Sequence, residues 1–151
     1  MQTFVPYPSF TESAKILDYR RLGKQRVEVL QILNSLVLNR QYGWRYHPAT
    51  KMWAGHERGL AAYGLSICSE WVQRGYKDTC TQKISDLVTP DWEDMPSWWG
   101  DERIHSSHRA NLLRKDPIYY GQYNWTEDPE MPYFWPTTDL TVITLSDNLI
   151  F

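Results

Sequence analysis

The stretch Asp18-Tyr19-Arg20-Arg21-Leu22-Gly23-Lys24-Gln25-Arg26-Val27-Glu28 is the densest run of reactive side chains in the chain. On a helix, Arg20, Lys24 and Glu28 fall on one face at successive turns. That face offers cations to grip phosphate, and it sets a carboxylate beside a lysine amine. Such a pair can move a proton or support an amine nucleophile. Arg21 and Arg26 add to the same cationic cluster. The spacing also describes an ordinary exposed ion pair, worth only ~0.3–0.5 kcal/mol.

A second polar group lies further on. His105, Ser107, His108, Arg109 and Asn111 are close enough in sequence to line a polar groove, with His47 before Pro48 as an outlying partner. Capping and core hydrogen bonds account for the same residues equally well. His105 and His108 stand three apart, but no third ligand follows at a diagnostic spacing. His56-Glu57 opens like a zinc-protease motif, yet Leu60 occupies the position of the second histidine. No metal site and no cofactor is therefore expected. Tyr119, Tyr120, Tyr123 and Trp125 form an aromatic cluster. Its rings could stack on unpaired bases, at ~1–3 kcal/mol per base, or pack into the core. Glycine-rich phosphate loops and Gly-x-Ser-x-Gly elbows are absent, which excludes ordinary nucleotide-hydrolase and serine-hydrolase chemistry.

Helices must position these groups. Residues 1–8 read as an extended arm punctuated by Pro6 and Pro8, and Ser9 with Glu12 matches a capping box. Ala14, Leu17, Val27, Leu30, Leu33 and Val37 keep helical spacing, with Gly23 as the expected break between two helical stretches. A long helix is expected from Pro48 to Arg74, stopped by Gly75. A short one should follow Thr79 or Thr81 to Leu87, then an acidic loop over 89–101. A helix from Ser107 to Lys115 is expected next, ended by Asp116-Pro117. Only Leu140–Leu145 has strand-like composition. The fold class is all-α: a single compact helical domain over 1–124, with an irregular, aromatic and proline-rich extension over 125–151.

At 151 residues and 42% hydrophobic, the chain is long enough for a core of its own. No run of ~18 apolar residues suggests a membrane span, and the N-terminus does not read as a signal peptide. Two cysteines make no disulfide framework, so a cytoplasmic location is expected. Net charge is −2, but it is unevenly spread: residues 1–60 hold nine basic and four acidic side chains, a net +5 on an otherwise acidic body. A basic first third fits the footprint of a phosphate backbone.

In order and spacing these features resemble the pyrimidine-dimer DNA glycosylase family. Tyr19-Arg20-x-Leu22-x-Lys24 is similar to that family's Tyr-Arg-Glu-Leu-Pro-Arg, and Glu70-Trp71-Val72-Gln73-Arg74-Gly75-Tyr76 to its Glu-Cys-Leu-Lys-Arg-Gly-Phe. Arg114-Lys115-Asp116-Pro117 followed by Tyr119-Tyr120-Gly121 resembles its aromatic close. The likeness spans residues 1 to about 123. It implies an all-α fold with the arm threaded between helices, and a monomer that excises a damaged pyrimidine from duplex DNA and then cleaves the strand. It also implies attack by the N-terminal amine on the sugar C1′, assisted by a glutamate after the Tyr-Arg pair. Arg20 and Lys24 carry over as phosphate or substrate contacts, and Tyr120 as part of the DNA-facing close.

Two positions depart from that pattern. Arg21 stands where the family has its glutamate, and Gln2 follows Met1 where the family exposes a threonine amine. The size of Gln2 disfavours removal of Met1. The amine would then be that of Met1, or of Lys24 with Glu28 one turn on. Three readings follow: a base-excision glycosylase, with or without strand-cleaving activity; a non-catalytic binder of distorted nucleic acid; or a nucleotide-processing enzyme using His105, His108 and Glu28.

Overall fold

The structure, a computed structural model, describes residues 1–38 and 43–136, and among them every regular element is helical. Ser9 starts α1 (Phe10–Ile16) by accepting the Glu12 N–H, as the capping box requires. The chain then breaks at Leu17, whose extended backbone buries its side chain. Asp18 caps α2 (Tyr19–Val37) by accepting the Arg21 N–H.

Gly23 does not break α2. It lies inside the helix because the Trp71 indole packs against it, and a Cβ there would come within 2.8 Å of the ring. The long helix expected from Pro48 divides instead. A short α3 (Pro48–Lys51) is followed by a turn and then by α4 (Glu57–Gln73). In the turn, Gly55 takes φ +85°, a backbone that glycine adopts without strain. Met52 and Trp53 swing into the core, where Trp98 Nε1–H donates to Met52 O at 2.8 Å. Gly75 ends α4 as anticipated, with φ +95°. After α5 (Cys80–Leu87) and the acidic loop, α6 (Glu102–Lys115) begins well before Ser107, because Asp101 accepts the Arg103 N–H at its start. Asp116 both ends α6 and caps α7 (Pro117–Tyr120).

The core lies where α2, α4 and α5 pack together, with the arm and α6 alongside, and is built round Trp53, Tyr63, Leu33, Ile67 and Ile104, all fully buried. Residues 125–136 run over this body: Trp135 is buried, and Trp125 stacks on Tyr120 with ring centroids 5.7 Å apart. The strand-like stretch Leu140–Leu145 lies outside the described residues. None of the helices among the described residues is long and apolar enough to cross a membrane.

The acidic loop is latched to the start of α4. Asp94 takes the Gly59 N–H at 3.1 Å and His56 Nδ1 at 2.9 Å. A Cβ on Gly59 would run into the Asp94 carbonyl oxygen, so one of the two must move. Gly59→Ala is expected to cost about 1–3 kcal/mol, as overpacking does. A drop of several degrees in Tm beside the parent protein would show it.

Candidate active site

The arm is extended and buried, yet among the described residues no strand lies beside it to take its hydrogen bonds. Buried backbone groups must be paired, and here side chains from three helices do so. From α2, Gln25 accepts the Phe4 N–H at 3.1 Å and donates to Gln2 O at 2.7 Å. Tyr63 of α4 donates to Phe4 O at 2.7 Å. From α6, His108 Nδ1 accepts the Val5 N–H at 2.9 Å, His105 Nδ1 meets Val5 O at 2.7 Å, and Arg109 donates to Pro6 O at 2.7 Å. These contacts fix where the first residues emerge.

They emerge in a cleft of about 750 Å³. One wall is α2, with Asp18, Tyr19, Arg20, Arg21, Lys24, Gln25 and Glu28. Met1, Gln2 and Phe4 form the arm side, and Lys115, Asp116, Tyr119 and Tyr133 close the third. Glu28 is nearly covered, its side chain 12% exposed. One carboxylate oxygen accepts the Gln2 N–H at 3.3 Å and the other lies 3.6 Å from Lys24 Nζ. Lys24 and Arg20 stand out at the mouth, whereas Arg21 folds back onto Asp18 at 3.1 Å. Burial alone would raise the Asp18 carboxyl, but hydrogen bonds from Tyr120 and Arg21 outweigh it and hold it below the usual range.

Of the candidate site residues, Met1, Arg20, Arg21, Lys24 and Glu28 line this cleft, as does Tyr119 of the aromatic cluster, whereas Arg26, His47, His105, His108, Arg109, Asn111 and Tyr120 do not. Tyr120 is wholly buried beneath it and donates to Asp18 Oδ1 at 2.5 Å, so it anchors the wall and does not face DNA. Arg26 turns away to Asp78 at 2.6 Å and lies over the Trp71 ring. Among the described residues no open polar groove forms around α6. His47, His105, His108 and Asn111 are buried. His47 caps α3 through the Ala49 N–H at 3.0 Å, and Asn111 donates to Ser107 O and Met131 O. Arg109 is held by Glu127 at 2.9 Å and by Glu102. Burial drives His108 down to about 3 and His47 to about 4, and lowers His105 as well. These are neutral, structural imidazoles, so the nucleotide-enzyme reading loses its acid–base pair.

Sequence reasoning misses Gln25 and Tyr133 as lining residues. Gln25 shares the α2 face of Arg21 and Glu28, a spacing that could have marked it. For Tyr133 the sequence carries no such signal. Among the described residues no group of three or more His, Cys, Asp or Glu side chains is placed to hold a metal ion.

The family model described as pyrimidine dimer DNA glycosylase matches residues 1–84, more than half of the chain. The chain belongs to the pyrimidine dimer DNA glycosylase family. No curated protein and no solved structure matches it. In this family member the matched segment brings the arm and the α2 wall with Glu28, whereas Lys115, Tyr119 and Tyr133 close the cleft from beyond the match.

Proposed function

We propose that the cleft excises a damaged or modified pyrimidine from duplex DNA and then cleaves the strand, with Glu28 as the carboxylate of the reaction. The observation that carries this reading is the contact between Glu28 and the start of the arm. Arg21 leaves the family's glutamate position without a carboxylate, but Glu28 lies two helical turns further along the same face. Its oxygens already meet the residue-2 nitrogen and Lys24 Nζ.

The nucleophile is the α-amine of Met1. An α-amine loses its proton ~2–3 pH units below a lysine side chain, so more of it is reactive at neutral pH. Its lone pair forms a bond to C1′ as the glycosidic bond breaks, and the base leaves with the bonding pair and takes up a proton. Glu28 accepts a proton from the amine as it attacks and returns it to O4′ as the C1′–O4′ bond opens, which leaves an imine. Glu28 removes a proton from C2′, the C3′–O bond breaks, and the phosphate departs. Water then hydrolyses the imine. Arg20 and Lys24 at the mouth hold the flanking phosphates.

Borohydride trapping on duplexes with an abasic site or a cyclobutane dimer tests this reading. A covalent adduct mapped to residue 1 is the expected result, with affinity falling as salt rises. Arg20→Ala and Lys24→Ala should each lower the log–log salt slope by about 0.9. An adduct on Lys24 would move the nucleophile to that side chain, and binding with no adduct would leave only a binder.

A further inference from the structure

We propose that Ile118 is a wedge that enters the base stack of duplex DNA beside the cleft, an inference that rests on the reading above. Ile118 is 92% exposed, while the next most exposed large hydrophobic side chain among the described residues, Tyr46, reaches 70%. Single apolar residues on a surface need no explanation in general. This one has two features that a stray residue lacks.

The first is where it stands. Its neighbours Lys115, Asp116 and Tyr119 all line the cleft, so Ile118 projects from the rim of the site. Lys115, the last residue of α6, is one of those lining residues and brings positive charge to the same rim. A lipid- or protein-facing patch would need a wider apolar surface. A lone apolar side chain beside a cation at the edge of a cleft suits a duplex, whose phosphates flank a stack of flat rings.

The second is how firmly it is held. Pro117 opens α7, and Asp116 Oδ1 accepts the Tyr119 N–H at 3.1 Å. Tyr120, buried at the other end of α7, donates to Asp18 Oδ1 at 2.5 Å and accepts the Asp18 N–H at 3.0 Å. Asp18 is the cap of α2, the helix that carries Arg20, Lys24 and Glu28. The exposed tip is thereby fixed to the reactive wall. An enzyme that acts on a base must take it out of the stack, and an apolar side chain left in the gap offsets the lost stacking.

The test uses the full chain and a duplex with 2-aminopurine beside a tetrahydrofuran abasic analogue. With the parent protein, 2-aminopurine fluorescence should rise on binding. Ile118→Ala removes a side chain that touches almost nothing, so folding is retained; its fluorescence rise should shrink by about fivefold or more. Excision from intact damaged duplex should slow by about tenfold, while trapping at a preformed abasic site changes little. Ile118→Leu should restore both. An undiminished rise with Ile118→Ala would overturn the wedge and leave the proposed function standing. A parent protein that shows no salt-dependent duplex binding would overturn both.

Discussion

Glu28→Gln should abolish most imine formation while leaving DNA affinity within a few-fold of the parent protein. Single-turnover excision and borohydride trapping are expected to fall ~10²–10⁴-fold, the usual worth of a positioned acid–base group. The substitution isolates that role well. A glutamine oxygen still accepts the Gln2 N–H now held at 3.3 Å, so the arm keeps its place. What disappears is the charge and the ability to take a proton. The ion pair to Lys24 is lost too, but the Lys24 side chain is 76% exposed. Such i,i+4 pairs contribute only ~0.3–0.5 kcal/mol. Tm should therefore barely change. Removing a negative charge from the cleft should, if anything, tighten phosphate binding. Trapping at the parent rate by Glu28→Gln would remove Glu28 from the mechanism.

Glu28 is legible in the sequence because its signal is local. Arg20, Lys24 and Glu28 follow one helical face, and α2 does form there with all three on the cleft. Ser9, Gly75 and Asp116 are legible for the same reason, since a cap acts within a few residues of itself. Gly23 is not a break, because the reason for its glycine is Trp71 on α4, distant in sequence and invisible to a local rule. The division of the Pro48–Arg74 stretch has a similar origin: Trp53 and Met52 must turn into the core, and Gly55 permits it.

The α6 histidines are opaque for a different reason. A polar side chain among apolar neighbours looks the same in sequence whether it lines a groove or satisfies buried backbone. An extended arm threaded between helices leaves N–H and C=O groups with no ladder to join, and some side chains must take them. His105, His108, Gln25 and Tyr63 are those side chains. A buried arm creates the demand for such partners, but the sequence does not say which residues meet it.

That role makes stability depend on pH in a definite direction. His108 accepts the Val5 N–H on Nδ1 and is wholly buried. Burial, with His105 and Arg109 also disfavouring its charge, pushes its folded-state value down to about 3. The unfolded chain takes a proton near ~6.5. Folding therefore excludes a proton: this contribution is fully present above pH ~6.5 and is lost as pH falls toward the folded value. His47 and His105, lowered mainly by burial, act in the same sense. Asp18 and Glu127 are lowered carboxylates. Their contributions fade only below their ordinary range of ~4, so the window from about pH 5 to about 6.5 belongs to the histidines. His108→Gln keeps an oxygen acceptor for Val5 but cannot titrate. It should cost ~1–2 kcal/mol at neutral to mildly basic pH, as an imperfect buried hydrogen bond does. Its stability should then fall less steeply below pH ~6.5, by up to ~1.4 kcal/mol per pH unit. In urea titrations taken from mildly basic pH down to about pH 5, the two stability curves should converge and cross near the acid end. Parallel curves would mean that His108 gains no proton on unfolding and does not hold the arm as a neutral acceptor. Where they converge, loss of trapping should track the same pH range, because releasing Val5 loosens the arm that brings Gln2 to Glu28.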